Sequence, residues 1–406
     1  MSYMLDLLLI YALKKAFENT SKNKDGETVW VKRNAAYTDT ESGEKRLNQT
    51  QFTMLGMTGS GKTCYLLGMY KKMLGGLKGF SLTTDDDTDV DLRKRYARMS
   101  DSSLGQDRFP AGTDQTDFYD FTLEHALSPI MTFRWIDYPG GALDEKTDGD
   151  IEQYNQLAEY IKNSSTLFIC VDGALLQGDD DNEEKTELVR EKCSSLINPF
   201  LSRYLKENEF LPPTAIVVTK FDLCSDDICS GDLKEILEEA FNPLFVSGAD
   251  SNRFIAVIPV SIGKSVAENS YKGKLAPTQL QLPIFMGVWF ALMLYVTDLV
   301  NCIRDKESDR EAVIREKDDA ADAFFFWRDD VKVGRLRRLA EEICLEISRE
   351  QDRYNKALRD SDKLLKELEE KVNLVYFNGM GYESFTMRTF VLRLEKAQKS
   401  PIALFD

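Results

Sequence analysis

The chain has 406 residues, of which 43% are hydrophobic and 11% aromatic, so it can form about two or three packed domains. Its formal net charge of −16 at pH 7 argues against a nucleic-acid partner held by bulk electrostatics. The single histidine, His125, excludes a histidine-rich metal site and most histidine-based acid–base chemistry. The seven cysteines are scattered without a Cys-x-x-Cys pair, as is typical of reduced thiols, and we expect a cytoplasmic protein.

Two apolar stretches bear on membrane attachment. Residues 4–16 are interrupted or ended by charged side chains and lack a cleavage site, which predicts an amphipathic helix packed on its own protein. Contact of that helix with a membrane or a partner stays open. Residues 282–296 are a stronger apolar run, but it is shorter than the about 20 residues that span a bilayer. We therefore expect a buried helix there and no membrane partner.

The first predicted elements in chain order are a helix over residues 1–19, a possible strand at 28–32 and a short strand at 51–55. The next eight positions read Gly-Met-Thr-Gly-Ser-Gly-Lys-Thr and fit the phosphate-binding loop pattern. A helix is predicted to follow directly, and the unpaired amides and dipole at its start favour a phosphate anion. The predicted nucleotide-binding residues of this loop are Gly56, Thr58, Gly59, Ser60, Gly61, Lys62, Thr63 and Cys64.

Strands and helices alternate through the next two hundred or so residues. A short helix at 91–99 and a Pro/Gly loop at 108–113 precede two alternating stretches, 117–124 and 130–136, which predict a pair of strands joined by a short turn. The other predicted elements are buried strands at 166–171, 214–218 and 254–260 and helices at 150–163, 185–207, 232–241 and 280–300. This order predicts an α/β fold with a doubly wound, mostly parallel sheet, and it places each motif after a strand, where ligands bind in such folds.

The magnesium and γ-phosphate ligands are predicted from three separate segments. Lys62 is expected to reach the β- and γ-phosphates, and the Thr63 hydroxyl is expected to bind Mg²⁺. In the sequence Asp-Tyr-Pro-Gly, Asp137 would hold Mg²⁺ through water, and the Gly140 amide would donate to the γ-phosphate until hydrolysis. Thr113, in a Pro-Ala-Gly-Thr loop, is the expected second Mg²⁺ ligand and γ-phosphate sensor.

Base recognition is predicted at the ends of two later strands. Thr219 opens the sequence Thr-Lys-Phe-Asp, in which Asp222 can accept two hydrogen bonds from the N1 and N2 donors of guanine. Adenine lacks this donor pair and would leave the carboxylate unpaired, which predicts GTP and GDP as ligands. The stem of Lys220 can cover the base, and the backbone amides around Ser261 and Ile262 can meet the guanine oxygen.

Together these motifs resemble those of the Ras-like, translation-factor class (TRAFAC) of P-loop GTPases. Within that class, the Phe-Pro-Ala-Gly-Thr, Ile-Asp-Tyr-Pro-Gly-Gly and Thr-Lys-Phe-Asp sequences look most like the bacterial double-GTPase families. The resemblance covers roughly residues 50–302. It implies a GTP-dependent switch or regulator in bacterial conflict or antiviral defence systems, encoded with partner proteins.

One position departs from the class pattern and concerns hydrolysis. Many members carry a water-orienting Gln directly after the Asp-x-x-Gly turn, where this chain has Gly141. Two alternatives follow: intrinsic hydrolysis is slow, or another group supplies the missing function. Arg108, five residues before Thr113, is a candidate arginine finger in cis, with an ordinary surface arginine or a finger from a partner or second copy as alternatives. The predicted catalytic residues are Lys62, Thr113, Gly140 and Arg108.

The composition changes after about residue 303, where charge rises and β-branched runs disappear. Residues 304–330 and 335–375 predict two helices broken near Gly334, and the three–four apolar spacing of the second indicates a coiled coil or helical hairpin. The aromatic run at 324–327 is expected to pack on the nucleotide domain or to bind a partner. A strand is predicted in the tail at 385–394, without a functional interpretation.

These predictions divide the chain into an N-terminal extension, a GTPase domain, a helical arm and a tail, at residues 1–49, 50–302, 303–375 and 376–406. The arm is expected to contact a protein partner or a second copy, so a homodimer is possible. A GTP-binding scaffold with little turnover is the first alternative function. A dynamin-like membrane-associated GTPase and an ATPase, the latter with Asp222 away from the base, are the others.

Overall fold

The computed structural model describes most of the chain from residue 50 onward and two short earlier segments. The described residues are 20–22, 28–30, 50–112, 115–143, 150–178, 180–208, 210–226, 228–245, 253–263, 266, 271–322, 330–369, 371–377 and 380–382. Four predictions fall outside them: the first helix, Thr113, the aromatic run at 324–327 and the tail strand.

Eleven strands form two sheets within the described residues. The strands are β1 (Thr20–Lys22), β2 (Thr28–Trp30), β3 (Thr50–Gly56), β4 (Phe80–Thr83), β5 (Asp117–His125), β6 (Ser128–Asp137), β7 (Thr166–Asp172), β8 (Thr214–Thr219), β9 (Phe254–Pro259), β10 (Leu374–Phe377) and β11 (Met380–Tyr382). The first two pair with each other, and the other nine form one sheet in the order β11-β10-β9-β8-β7-β3-β6-β5-β4.

The α-helices of the described residues are α1 (Lys62–Leu74), α2 (Asp86–Ser100), α3 (Asp150–Asn163), α4 (Asn182–Val189), α5 (Ser195–Asn208), α6 (Ser230–Ala240), α7 (Asn242–Phe245), α8 (Leu282–Asp322) and α9 (Asp330–Glu369). Five neighbouring strands, β6, β3, β7, β8 and β9, are parallel, and antiparallel strands extend the sheet at both edges. The predicted doubly wound, mostly parallel α/β fold is therefore confirmed.

The central strands are apolar on both faces because helices cover both faces. Alternate residues of β7 enter different cores: Phe168 and Cys170 join a cluster with α1, α2, α8 and α9, whereas Leu167 and Ile169 join one with α3 to α7. All these side chains are fully buried. Each strand therefore contributes to two hydrophobic layers, and its carboxyl end is the part left to bind a ligand.

Three strands of the nine-stranded sheet, β4, β10 and β11, were not predicted. β4 precedes α2, which begins at Asp86, earlier than the predicted residue 91, because Asp85 caps it by accepting the Thr88 amide at 3.0 Å. β10 pairs antiparallel with β9 and occupies residues that were assigned to the arm and tail. Its Val375 and Tyr376 side chains are buried, so the chain beyond the arm returns to the sheet.

The predicted closing helix and the first arm helix are one helix, α8, which runs without interruption through the predicted boundary at residue 302. The prediction of two helices was wrong because the change from apolar to charged residues there involves no Pro or Gly that would end a helix. Gly334 also lies inside a helix, α9, rather than at a break. A glycine inside a helix costs only about 1 kcal/mol, which packing against α8 can offset.

Helices α8 and α9 form an antiparallel hairpin. Lys332 pairs with Glu316 at 2.8 Å near the connection, and Lys306 pairs with Glu346 at 2.6 Å farther along. The predicted helical hairpin is therefore present. Helix α8 is long and apolar enough by composition to cross a membrane, but 78% of its most apolar 18-residue window is buried inside the protein.

The end of α9 packs on the nucleotide-binding half of the chain. Leu364 and Leu368 are fully buried in the same cluster as α1 and α8, and Glu367 forms a 2.8 Å ion pair with Lys78 at the start of β4. The part of the arm after about residue 354 is therefore structurally continuous with the α/β core.

Shortening Leu364 tests whether this packing stabilises the protein. We expect Leu364→Ala to lower the free energy of unfolding by about 2–5 kcal/mol, because a fully buried side chain is replaced by a cavity. Leu345→Ala on the same helix should change it by less than about 0.5 kcal/mol, because Leu345 is 62% exposed. Urea unfolding measures the free energy of unfolding of both variants. An effect of Leu364→Ala as small as that of Leu345→Ala would show that this end of α9 does not contribute to the core.

Candidate nucleotide-binding site

The phosphate-binding loop joins β3 to α1 through two glycines in the left-handed region. Gly59 has φ +80° and Gly61 has φ +91°, conformations that side chains rarely adopt. Lys62 folds back over the loop and donates from Nζ to the carbonyls of Gly56 at 2.7 Å and Met57 at 3.1 Å. Burial lowers the pKa of this ammonium group. The loop therefore places a buried cation at the start of a helix, where a phosphate anion is favoured.

A carboxylate and a hydroxyl group lie next to each other beside the phosphate-binding loop. β3 and β6 are adjacent and parallel, so the end of β6 brings Asp137 next to Thr63, whose Oγ1 donates to Asp137 Oδ2 at 3.0 Å. The Asp137 side chain is buried, its Oδ1 has no hydrogen-bond partner among the described residues, and burial raises its pKa. A hydroxyl and a carboxylate with one unpaired buried oxygen fit a Mg²⁺ ion, which prefers oxygen ligands.

The two glycines after Asp137 differ in their surroundings. A Cβ added to Gly140 would lie 2.2 Å from the Thr58 amide nitrogen, so the loop after β6 touches the phosphate-binding loop here. A Cβ on Gly141 would approach nothing closer than the Thr58 hydroxyl at 3.6 Å. The structure thus brings Gly140, as predicted from the motif, against the backbone that would surround a γ-phosphate.

The Thr-Lys-Phe-Asp sequence after β8 is fastened to the same loop. Thr219 Oγ1 donates to the Ser60 carbonyl at 2.6 Å, and Lys220 Nζ donates to the Gly59 carbonyl at 3.1 Å. Lys220 also pairs at 2.6 Å with Asp172, the last residue of β7. Sequence reasoning missed Asp172, although its position at the end of a buried strand was a signal. These bonds couple the base-side motif to the phosphate side.

Asp222 lines the cavity at the base end. Its Oδ1 atom is buried and has no hydrogen-bond partner among the described residues. A buried carboxylate oxygen without a donor is costly, so this atom needs N–H groups from a ligand. Guanine offers such donors at N1 and N2.

The structure changes one part of the predicted contact with the guanine oxygen, namely the role of the Ser261 amide. The Ser261 amide donates to the Thr278 carbonyl at 3.2 Å, and the Ser261 hydroxyl accepts the Gly263 amide at 3.0 Å. The amide of Ser261 is thus used within the chain, because residues after β9 turn back and form a bridge to Thr278. Ser261 and Ile262 still line the cavity, and the prediction of an amide contact to the base rests on Ile262.

A cavity of about 380 Å³ connects the phosphate and base sides. Several of its lining residues were not predicted, and they come from the segment after α2 and the segment between β9 and α8. These additional residues include Gln106, Phe109, Val266, Tyr271 and Leu280. Cys64 also lines the cavity, and burial raises its pKa to about 11, so this side chain is a neutral thiol.

Arg108 does not line the cavity. Its side chain is 1% exposed, and its Nη1 donates to the Gly273 carbonyl at 2.9 Å. The structure therefore does not bring Arg108 to the phosphate end, where an arginine finger would act. Gly56, Thr58, Gly59, Ser60, Gly61, Lys62, Thr63, Cys64, Asp137, Gly140, Thr219, Lys220, Asp222, Ser261 and Ile262 are the predicted site residues that the structure does bring together around the cavity and its loop.

The fold and the site define an α/β phosphate-loop nucleotide-binding protein. The model of one protein family, Double-GTPase 2, matches residues 52–257, which is half of the chain. The chain belongs to this family, and the predicted resemblance to the double-GTPases is confirmed.

Comparison with other known proteins gave similar solved structures only. The Ski7 GTPase-like domain of S. cerevisiae bound to GTP is 19% identical, with 55% of this chain and 45% of that chain covered and a TM-score of 0.31. Sup35 complexed with GDP is 14% identical, with 60% and 43% covered and a TM-score of 0.22. This chain thus spans less than half of each of these proteins, and no curated protein matches it.

Proposed function

We propose that the protein is a Mg²⁺-dependent GTPase that works as a GTP-controlled switch. The observation that carries the proposal is the buried Oδ1 of Asp222, which no described residue partners and which lines the same cavity as Lys62. A base-selective acceptor and a phosphate-binding cation that line one cavity of about 380 Å³ suit one nucleoside triphosphate. Membership of a double-GTPase family supports the same assignment.

In this proposal the protein accelerates in-line attack of water on the γ-phosphate mainly by position and charge. Lys62 neutralises negative charge that develops on the β- and γ-phosphate oxygens. The Gly140 amide donates to the γ-phosphate and loses this bond on hydrolysis, which makes the loop after β6 sensitive to the nucleotide state. Asp222 selects guanine, because adenine would leave its buried oxygen unpaired.

The residues that would hold Mg²⁺ are Thr63 and Asp137, with Thr113, outside the described residues, as the proposed second protein ligand. The fit rests on the 3.0 Å contact between Thr63 and Asp137 and on the unpaired Oδ1 of Asp137. Bound Mg²⁺ would supply charge neutralisation at the phosphate oxygens.

A titration with a fluorescent GTP analogue and Mg²⁺, competed by GTP and by ATP, tests the proposal. We expect GTP to compete about 100-fold better than ATP, because ATP leaves a buried charged group unpaired. Phosphate release should fall at least about 100-fold in Lys62→Ala. Lys71→Ala, an exposed lysine on the same helix, should match the wild type. Equal competition by ATP would overturn the guanine assignment, and release unchanged in Lys62→Ala would overturn the catalytic one.

A GTP-binding scaffold with little turnover is the second candidate function, and Gly141 favours it. This position has no side chain to orient water, although the space beside the Thr58 hydroxyl would accept one. Multiple-turnover phosphate release distinguishes the two functions. Stoichiometric GTP binding without repeated release would favour the scaffold.

We propose that the α8–α9 hairpin passes the nucleotide state to a protein partner or to a second copy in the cytoplasm, as part of a bacterial conflict or defence system. The hairpin supports this proposal because its outer half exposes apolar side chains, with Val331 83% and Leu345 62% exposed. Light scattering with GDP and with a non-hydrolysable GTP analogue measures whether two copies pair. A mass of one chain in both states would contradict pairing and leave a separate protein as the partner.

A further inference from the structure

Two loops that line the nucleotide cavity contact each other. The first ends the 3₁₀ segment Ser102–Arg108 and continues through Phe109 to Gly112. The second follows β9 and includes Tyr271 and Gly273. Phe109, Gly112 and Tyr271 all line the cavity, so both loops border the same space.

Arg108 connects these loops from inside the protein. Its guanidinium is 1% exposed and reaches across to donate from Nη1 to the Gly273 carbonyl at 2.9 Å, between residues 165 positions apart in sequence. The Nε and Nη2 groups have no hydrogen-bond partner among the described residues. A buried cation held by one neutral acceptor is expensive, and burial accordingly lowers its pKa, against the attraction of Asp101. Its bond to Gly273 is therefore the main polar contact that holds this cation among the described residues.

An aromatic contact joins the same two loops on the cavity side. The rings of Phe109 and Tyr271 meet edge to face, with centroids 6.1 Å apart and planes at 73°. The Arg108 guanidinium lies 5.0 Å from the centroid of the Phe109 ring. Tyr271 has φ +64°, a conformation that is strained for a side chain of this size, and it is 41% exposed. The ring contact with Phe109 is thus one interaction that can offset the cost of this conformation.

We propose that Arg108 and Tyr271 form a strap that fastens the loop before Thr113 to the loop after β9 and so controls nucleotide release. Arg108 is then a positioning residue that does not touch the phosphates. The inference rests on the proposed function, since it requires that the cavity holds a guanine nucleotide. Because both loops line the nucleotide cavity and contact each other, opening of the strap would loosen two walls of the space that holds the nucleotide and so speed its release.

The experiment measures the release of a fluorescent GDP analogue from the full-length protein after a chase with unlabelled GDP. Arg108→Ala should release it about tenfold faster, the effect of about one charged hydrogen bond. Arg108→Lys keeps a donor and a charge and should restore much of the slow release. Tyr271→Ala should accelerate release about threefold. Because the Tyr271 side chain is partly exposed, we expect this variant to remain folded. The double variant Arg108→Ala/Tyr271→Ala should accelerate release by less than the product of the two single effects, because both residues belong to one strap.

Arg98→Ala is the matched control. Arg98 donates from Nη2 to the Asp107 carbonyl at 3.0 Å, so it holds the same loop from the outside without reaching Gly273. It should release the analogue at the wild-type rate, and thermal unfolding of every variant checks the fold. If Arg108→Ala does not fold, Arg108→Lys and Tyr271→Ala decide the question.

The outcomes separate the strap from the proposed function. If the wild type binds the analogue and the Arg108 and Tyr271 variants release it at the wild-type rate, the strap is wrong and the nucleotide site stands. Acceleration in Arg98→Ala equal to that in Arg108→Ala would also overturn the strap, because any anchor of the loop would then suffice. If the wild type binds neither labelled GDP nor labelled GTP, the proposed function is wrong, and the strap proposal, which depends on it, is wrong as well.

Discussion

Replacement of Asp222 by asparagine is expected to lower the affinity for GTP by about 100-fold and to create a preference for xanthosine triphosphate. Asp222 Oδ1 is buried and has no hydrogen-bond partner among the described residues, so it is free to accept hydrogen bonds from the base. Guanine supplies two N–H donors, whereas xanthine carries a carbonyl in place of the 2-amino group. The asparagine amide can donate to that carbonyl but cannot accept both guanine donors, and a mismatch at a buried polar site costs about 2–3 kcal/mol.

Competition titrations with GTP, XTP and ATP against a fluorescent nucleotide measure this exchange of specificity. Asp226→Asn, an exposed position on the same loop, controls for the loss of one negative charge and should keep the wild-type order. A variant that loses affinity for all nucleotides equally would show that Asp222 supports the loop rather than reading the base. A variant that keeps its preference for GTP would place the base elsewhere in the cavity.

The parts of the site that the sequence predicts are those that depend on short-range geometry. The phosphate-binding loop is such a part, because its glycines at positions 59 and 61 must take positive φ and its lysine lies one residue into a helix. The contact between Thr63 and Asp137 could also be predicted, since Thr63 lies at the start of the helix after β3 and Asp137 ends β6, and the carboxyl ends of parallel strands meet at one edge of a sheet.

The parts that the sequence does not predict depend on contacts between distant segments. Asp172 pairs with Lys220 only because β7 and β8 are neighbours, and Arg108 reaches Gly273 only because two loops fold over one cavity. The position of Asp172 at the end of a buried strand marks it as a candidate, but neither residue type nor spacing predicts its pairing with Lys220 or the contact of Arg108 with Gly273. The same applies to β10, an apolar run of four residues whose identity as a strand is decided by the open edge of β9.

The arm shows how composition can mislead about boundaries. The charge increase after about residue 303 marks where α8 leaves the hydrophobic core, and the helix itself continues because its backbone bonds are internal. The change in composition thus predicts correctly where the helix becomes exposed, but it predicts the ends of the helix incorrectly. The consequence for function is physical: a single helix runs from the core under the sheet to the end of the hairpin, so a displacement at the core can be carried along it.

Replacement of Gly140 by alanine is expected to reduce GTP hydrolysis by about 100-fold while the protein remains folded. The added methyl group would lie 2.2 Å from the Thr58 amide nitrogen and 2.4 Å from the Met57 carbonyl carbon, far inside van der Waals contact. Both neighbours are backbone atoms of the phosphate-binding loop, so the loop after β6 and the phosphate-binding loop must separate. A displacement of about 1 Å at a reacting group can cost about 100-fold in rate. Single-turnover phosphate release measures the loss.

The neighbouring glycine provides a control with the same chemical change. Gly141→Ala adds a methyl group whose nearest neighbour would be the Thr58 hydroxyl at 3.6 Å, an ordinary contact, so hydrolysis should stay within about twofold of the wild type. Binding of a fluorescent GDP analogue should survive in both variants, because the contact made by Gly140 is to the part of the loop proposed to surround the γ-phosphate. If Gly140→Ala hydrolyses GTP at the wild-type rate, the two loops separate during turnover and the Gly140 amide cannot be the group that senses the γ-phosphate. If both variants lose hydrolysis equally, the turn as a whole, rather than the approach of Gly140 to Thr58, governs the reaction.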